Sequence, residues 1–154
     1  MRTLGIRAEP GAINWAVTEG SVEAPVLVAA ETAEAPASYD EGQALSWYRD
    51  RINFIIDQYQ PHTLAIRYAE PIGKSRGTDA AHQRSRLEGV ILEAGCAKNL
   101  RIVTGPLVTI TKHLGSGSAK TYLGQEDLRG LDWSEYSKNK KEAIIAAAAV
   151  LPRQ

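Results

Sequence analysis

The sequence predicts an α/β domain in which helices pack on a five-stranded mixed sheet. Two observations lead to this fold class. The first three strand-like runs are joined by connections too short for a crossover, so strands 1–3 are expected to be antiparallel. After them, strand-like and helical segments alternate, which is typical of parallel strands with helical crossovers. The chain of 154 residues has the length of one such domain, and we assign residues 1–154 to it.

Three strands and one long helix are predicted in the first 60 residues. Apolar runs place the strands at 2–8, 13–19 and 25–33. Pro10 and Gly11 supply the turn that joins the first two strands. Apolar residues then recur at helical spacing, which predicts an amphipathic helix at about 41–60, and Pro61 ends it.

The rest of the chain alternates strands and helices. Strands are predicted at 62–69 and 100–105, and helices at about 79–98, 106–114 and 138–151. Thr78 or Asp79 can cap the first of these helices. The segment 115–121, GSGSAKT, is expected to be a flexible loop. Residues 122–136 stay ambiguous, because two glycines weaken a helix there.

The composition is that of an ordinary globular protein. The formal net charge is zero, so overall charge gives no reason to expect a nucleic-acid or membrane partner. No apolar run reaches the ~18 residues of a membrane span and no signal peptide is visible, so a cytoplasmic location is expected. The single cysteine, Cys96, is expected to be buried on the inner side of a helix. The three histidines lack ligand spacing, which indicates no zinc site.

Several motifs along the chain resemble those of one nuclease family. The first strand and turn read GIRAEPGAINWAV, where the family has Gly-Ile-Asp-Pro-Gly followed by Trp/Tyr-Ala-Val. The fourth strand reads LAIRYAEP in place of the family's Ala-Ile-Glu, and the next helix carries LEGVILEAG. The segments IVTGPLVTITKHLGSGSAKT and KKEAIIAAAA resemble the family's remaining elements. The chain therefore resembles the RuvC-type Holliday junction resolvases of the RNase H-like superfamily, and the resemblance implies their fold.

The resemblance also implies where a catalytic metal site would lie. The family's four acidic positions fall on Arg7, Arg67, Glu142 and Ile145, so one acid of four remains. The chemistry of such a site uses two divalent ions bridged by carboxylates. Two guanidiniums, which cannot be deprotonated, would repel Mg²⁺ there. We therefore expect no metal site and no cofactor, and Mg²⁺ enters only if the chain is a divergent nuclease.

Three interpretations of this position remain open. In the first, Arg7 and Arg67 form an anion-binding pocket. In the second, they are neutralised as ion pairs by Glu9, Glu70 or Glu142, although a paired arginine can still present free donors to a phosphate. In the third, the acids are displaced, and Glu9, Glu70 and Glu142 form a shifted metal site. Against the third, Glu9 and Glu70 adjoin prolines at strand exits and are expected to face solvent.

Other basic residues could extend an anion site. The densest basic region lies in a loop and at a helix start beside the arginine position, and it consists of Lys74, Arg76, Arg84 and Arg86, with His82. Lys120 lies in the Gly-Ser loop, and Lys141 lies at the start of the last helix. If a single carboxylate pairs with one of the two central arginines, about one positive charge is left over to attract a phosphate oxygen.

Three functions fit these observations. The replaced acids favour a catalytically inactive RuvC-like domain that binds DNA or RNA or has a regulatory role. The first alternative is a divergent metal-dependent nuclease, similar to a Holliday junction resolvase, that uses the displaced carboxylates. The second is a protein-interaction scaffold, for example a homodimer.

Overall fold

The computed structural model describes residues 1–70 and 77–154, which form one five-stranded sheet with helices on both faces. The strands are β1 (Arg2–Glu9), β2 (Ala12–Gly20), β3 (Pro25–Ala33), β4 (Thr63–Arg67) and β5 (Arg101–Gly105). They lie in the order β3-β2-β1-β4-β5. β2 is antiparallel to β1 and to β3, whereas β4 is parallel to β1 and to β5. The predicted mixed sheet, with strands 1–3 antiparallel, is confirmed.

The helices also follow the predicted order. They are α1 (Glu41–Tyr59), α2 (Asp79–Ala97), α3 (Leu107–Thr111), α4 (Ala119–Leu123) and α5 (Lys138–Ala149). A 3₁₀ turn, Lys112–Leu114, continues α3. A small hairpin of β6 (Asp127–Leu128) and β7 (Leu131–Asp132) precedes α5. Within the described residues, no helix has both the length and the apolar character needed to cross a membrane.

The long helices begin where the sequence supplies a side-chain cap. Asp40 accepts a hydrogen bond from the backbone N–H of Gln43, and the Gln43 side chain accepts one from the Asp40 N–H, which forms a capping box at α1. Of the two candidate caps for α2, Thr78 is the one used. Ser137 caps α5 in the same way. These caps fix where α2 and α5 begin. The helix α2 carries Arg84 and Glu88, and α5 carries Glu142.

Two apolar cores cover the two faces of the sheet. On one face, α1 and α2 pack on alternate residues of the central strands, such as Leu4 and Ile6 of β1. On the other face, α5 packs together with α3 and the β6–β7 hairpin, whose neighbour Trp133 is fully buried. Because side chains alternate along a strand, the remaining residues of β1 face α5.

The helix α5 lies directly against the sheet at Gly5. A methyl group added there would lie 2.2 Å from the carbonyl oxygen of Ala143 and 2.4 Å from the backbone nitrogen of Ala147. Two residues earlier, the Thr3 hydroxyl donates a 2.7 Å hydrogen bond to the Ala147 carbonyl. The alanines of α5 and the missing side chain at Gly5 therefore let the helix backbone lie directly on β1. This contact fixes the position of Glu142, one residue before Ala143.

The segment 122–136, which the sequence left ambiguous, contains a hairpin at residues 127–132. Its Arg129 and Gly130 both have positive φ (54° and 86°), as a type I′ turn requires. Two local predictions were wrong. The segment 115–121 is not wholly a loop, because Ser118 caps the short helix α4. Cys96 is exposed, since the buried face of α2 is formed by other positions of that helix.

Candidate functional site

The two arginines at the candidate site lie side by side on the central strands. Arg7 of β1 and Arg67 of β4 are direct partners in the parallel register, near the carboxyl ends of both strands. Paired residues of neighbouring strands point to the same face, so both side chains extend on the α5 side. Both are largely buried, with 14% and 11% of the side-chain surface exposed.

One buried carboxylate holds both arginines. The side chain of Glu142, in the second turn of α5, is 4% exposed. Its Oε2 accepts a 2.8 Å hydrogen bond from Arg7 Nε. The same oxygen lies 3.4 Å from Arg67 Nε, close enough for an ion pair but not aligned for a hydrogen bond. Glu142 was expected to pair with one arginine, and it contacts two.

Glu9 supplies a second carboxylate to this group. Its Oε1 lies 3.4 Å from Arg7 Nη1, and its two oxygens also accept hydrogen bonds from Asn139 and Asn14. The expectation that Glu9 faces solvent was therefore wrong: the Asn139 amide of α5 turns its carboxylate towards Arg7. The negative charges of Glu9 and Glu142 equal the positive charges of Arg7 and Arg67. The predicted excess of one positive charge is therefore not found among these four residues.

Arg84 and Glu88, one turn apart on α2, extend the charged group. Arg84 is half-buried, and its Nε and Nη2 are buried without a hydrogen-bond partner among the described residues. Burial lowers the pKa of Arg84, and repulsion from Arg7 and Arg67 lowers it further. Glu88 is 7% exposed and accepts a 2.8 Å hydrogen bond from the Ala69 N–H. We call these six residues the arginine–glutamate cluster: Arg7, Arg67, Arg84, Glu9, Glu88 and Glu142.

The α2 pair gives a direct test of electrostatic coupling within the cluster. Burial raises the pKa of Glu88, while the Ala69 hydrogen bond and the charge of Arg84 act in the opposite direction. Arg84→Gln should therefore raise the pKa of Glu88 further, measured by ¹³C NMR titration of the side-chain carboxyl. Because the folded pKa lies above the unfolded value, the stability contributed by Glu88 is greatest at low pH and is lost as pH rises through the folded pKa.

The control for this titration is Arg86→Gln on the same helix. Arg86 is exposed and pairs with Glu41 on α1, so its removal should leave the pKa of Glu88 unchanged. An equal pKa of Glu88 in both variants would contradict the coupling.

The displaced carboxylates are not brought together as a metal site. Glu9 and Glu142 both contact Arg7, and Glu70 is exposed beyond the end of β4. The described part of the chain contains no group of three or more His, Cys, Asp or Glu side chains that could hold a metal ion. Ile145, at the fourth acidic position of the resembled family, is fully buried in the apolar core.

Two of the remaining basic residues named from the sequence, Lys74 and Arg76, lie outside the described residues. Lys120 and Lys141 do not join the cluster. Lys120 is exposed on α4. The Lys141 ammonium lies 5.4 Å from the centre of the Trp133 ring, in cation–π contact. Of this basic set, Arg84 alone contributes to the cluster among the residues that the structure describes.

Sequence reasoning missed the supporting side chains of the cluster. Asn14 lies directly opposite Arg7 in the β1–β2 register, is 2% exposed, and receives a hydrogen bond from Thr32. A buried asparagine within an otherwise apolar strand is the signal that could have revealed it, because buried amides need partners. Asn139 and Glu88 gave no comparable signal, since both lie on helices whose rotation the sequence does not fix.

Solved structures similar to this fold include Holliday junction resolvases. Thermus thermophilus RuvC in complex with a Holliday junction substrate has a TM-score of 0.77 and 13% identity, covering 97% of this chain and 91% of that one. The chain has the RuvC-type RNase H-like fold. The yeast mitochondrial resolvase Ydc2 has a TM-score of 0.58 and 9% identity over 96% of this chain and 77% of that one. The fowlpox virus resolvase has a TM-score of 0.51 and 10% identity, covering 97% and 94%.

The likeness to RuvC concerns the fold, and it agrees with the motifs read from the sequence. No protein-family model matches the chain, and a search of curated proteins finds no matching sequence. The function of this RuvC-type domain therefore has to be argued from its own residues.

Proposed function

We propose that this RuvC-type domain binds the phosphate backbone of nucleic acid and does not cleave it. The proposal depends on one observation: Glu142 is already paired with Arg7 and Arg67. Both guanidiniums contact the same oxygen of its carboxylate, and the side chain is 4% exposed. A two-metal nuclease needs several free carboxylate oxygens at this place. Here the remaining acid is already a partner of arginine.

Electrostatics supports the absence of cleavage. An arginine stays protonated at every pH a protein experiences, so Arg7 and Arg67 cannot be neutralised to admit a cation. Proteins bind Mg²⁺ through oxygen ligands, and the bound ion keeps several water molecules. In this chain the two guanidiniums, which offer no oxygen, occupy the space between the strands and Glu142. Metal binding would require breaking both ion pairs.

The donors that remain support phosphate binding. Arg7 donates hydrogen bonds from Nε and Nη1, and Arg67 donates one from Nη1. No hydrogen bond among the described residues uses the Nη2 atom of either arginine. Guanidinium groups with free N–H donors suit phosphate oxygens well. The similar structure of Thermus thermophilus RuvC holds a Holliday junction substrate. We infer that nucleic acid approaches this chain at the end of the sheet where Arg7 and Arg67 lie.

The test combines binding and cleavage with one set of DNA substrates. We expect fluorescence anisotropy to detect binding of a four-way junction or a duplex. Two phosphate contacts predict a slope of about −2 in a plot of log K against log salt concentration. With Mg²⁺ or Mn²⁺ present, the same labelled DNA should stay intact on a denaturing gel.

The matched variants are Arg7→Asp with Arg67→Glu, and Arg49→Glu as control. The double variant should lose DNA binding and gain binding of Mn²⁺, since it gathers four carboxylates at one place. Arg49 is exposed and pairs with Glu93 on the far side of α2, so its reversal should leave binding unchanged. Circular dichroism checks that each variant is folded, and Arg67→Gln serves if the double variant is not.

Each alternative function has its own outcome in this experiment. Metal-dependent cleavage that is lost in Glu142→Ala would show a divergent nuclease and overturn the proposal. A salt-insensitive homodimer that binds no DNA would favour the scaffold and also overturn it. DNA binding that is unchanged in the arginine double variant would show that the cluster is a structural ion-pair group.

A further inference from the structure

The strand β3 (Pro25–Ala33) forms one edge of the sheet and pairs with β2 on one side only. Alternate residues of an edge strand direct their backbone N–H and C=O groups away from the sheet. Among the described residues, no backbone hydrogen bond joins β3 to a loop, to a helix or to any strand besides β2. The outer side of β3 is therefore open to pairing with one further strand.

The second half of β3 is the part that suits such pairing. A bulge interrupts the register of β2 with β3 between Val17 and Thr18, and Pro25 at the start of β3 has no N–H to donate. Beyond the bulge, Ala29–Ala33 pairs regularly with β2, and we call this segment the open edge. Three of its five residues are alanines, which leaves room for larger side chains of an added strand beside them.

The open edge lies in an acidic part of the chain. Residues 8–48 contain no lysine, arginine or histidine and seven acids, which are Glu9, Glu19, Glu23, Glu31, Glu34, Asp40 and Glu41. Four of these acids form ion pairs, and Asp40 caps α1. The other two, Glu31 within the open edge and Glu34 just after it, are exposed and form no ion pair among the described residues.

The two arginines of α1 do not neutralise these carboxylates. Arg49 lies 2.9 Å from its ion-pair partner Glu93 on α2. The guanidinium of Arg51 lies 5.4 Å from the centre of the Trp47 ring and 6.0 Å from that of Phe54, in cation–π contact with both. The open edge therefore keeps its negative charge.

This charge determines which kind of strand the open edge suits. Pairing with a second copy of β3 would place the acidic residues 8–48 of two chains at one interface, where like charges oppose association. A basic strand is instead attracted by Glu31 and Glu34. Glu31 lies opposite Trp15 in the register, and Trp15 belongs to the core beneath α1, so Glu31 is on the α1 side of the sheet.

We propose that the open edge binds an extended segment of a partner protein in which Lys or Arg alternates with apolar residues. The segment adds a sixth strand next to β3, and its backbone bonds to the outward N–H and C=O groups. Its basic side chains lie on the α1 side, where Glu31 lies. The inference is independent of the proposed binding of nucleic acid.

Fluorescence anisotropy on the full chain tests the open edge with a labelled heptapeptide, Thr-Lys-Val-Lys-Val-Lys-Thr, as the probe. We expect this lysine peptide to bind, and the same peptide with glutamate in place of lysine to bind at least about tenfold more weakly. A third peptide keeps the lysines but is N-methylated at its five central residues, so they cannot donate backbone hydrogen bonds. It should also bind at least about tenfold more weakly, because strand pairing is lost.

The matched protein variants are Glu31→Lys and, as control, Glu93→Lys. Glu31→Lys should weaken the lysine peptide by about tenfold or more and admit the glutamate peptide. Glu93 is an exposed acid on α2, which packs on β1, β4 and β5, so the same charge reversal there should change the affinity less than about twofold. Circular dichroism checks that each variant is folded, and Glu31→Gln serves if Glu31→Lys is not.

Hydrogen exchange followed by NMR locates the bound peptide. With saturating lysine peptide, the outward amides of the open edge should exchange at least about tenfold more slowly, because they become hydrogen-bonded. The amides of β5, at the opposite edge of the sheet, should exchange at an unchanged rate.

Several results would overturn the inference. They are absence of lysine-peptide binding at millimolar concentration, equal binding of the N-methylated peptide, unchanged affinity in Glu31→Lys, and protection at β5 in place of the open edge. A wild-type dimer in sedimentation velocity, with the open-edge amides protected before peptide is added, would assign the edge to a second copy and also overturn it. Nucleic-acid binding is measured without peptide, so each proposal is able to fail alone.

Discussion

Glu142→Gln is expected to lower the free energy of unfolding by about 3–5 kcal/mol, the usual cost of removing one partner from a buried ion pair. The Glu142 carboxylate is 4% exposed and compensates two arginines at once, with its Oε2 at 2.8 Å and 3.4 Å from their Nε atoms. Glutamine keeps the shape of the side chain and removes its charge. Arg7 then retains only the more distant Glu9, and Arg67 keeps no acid that contacts it among the described residues.

Urea unfolding followed by circular dichroism measures this loss. The control is Glu93→Gln, which removes an exposed ion pair with Arg49 and should cost less than about 1 kcal/mol. A midpoint that moves equally in the two variants would show that Glu142 does not compensate the arginines in the folded protein. Addition of phosphate should restore part of the stability of Glu142→Gln, because an anion replaces the missing carboxylate.

Gly5→Ala is expected to destabilise the domain by about 3 kcal/mol or more, at or above the upper end of the usual cost of overpacking. The added methyl group would lie 2.2 Å from the Ala143 carbonyl and 2.4 Å from the Ala147 nitrogen, and both are backbone atoms that cannot rotate away. Relief requires that α5 move off β1. That movement also displaces Glu142, so binding of DNA should weaken together with stability.

Gly11→Ala is the matched control for this substitution. Gly11 lies in the exposed turn after β1, and an added methyl group there meets nothing within 4 Å. Its thermal unfolding midpoint should stay within a few degrees of wild type, while that of Gly5→Ala falls by more than about 6 °C. Equal midpoints would mean that α5 does not lie as close to β1 as described.

Much of the fold was predictable because its elements have strong local signals. Pro10 and Gly11 mark the first turn, and the helical spacing before Pro61 marks α1, so both elements were placed to within a few residues. The β6–β7 hairpin was missed because its turn is Arg129-Gly130 and lacks the Asn-Gly or Asp-Gly pair that usually signals a type I′ turn. Cys96 was wrongly assigned to the buried face of α2. Apolar residues near it occur on several sides of the helix, so the sequence does not determine which side faces the sheet.

The centre of the site was predictable, and its outer part was not. The resemblance placed Arg7 and Arg67 at the site, and in the structure they are direct partners of neighbouring parallel strands. The place of Glu142 at the site was inferred because the last helix resembles that of the RuvC-type resolvases. The recruitment of Glu9 depends on the Asn139 side chain, and the placing of Arg84 depends on how α2 packs beside the sheet. The spacing of residues along the sequence predicts neither the contact of Glu9 nor the position of Arg84. The predicted net charge of the site was therefore wrong.

Crystals soaked separately in Mn²⁺ and in sulfate test most directly whether the arginine–glutamate cluster has replaced a metal site. We expect sulfate density beside Arg7 and Arg67, with the contacts between these arginines and Glu142 retained. We expect no anomalous scattering peak from Mn²⁺ at the carboxylates of Glu9 and Glu142. A manganese ion coordinated by these two carboxylates, with the arginines turned away, would contradict this expectation.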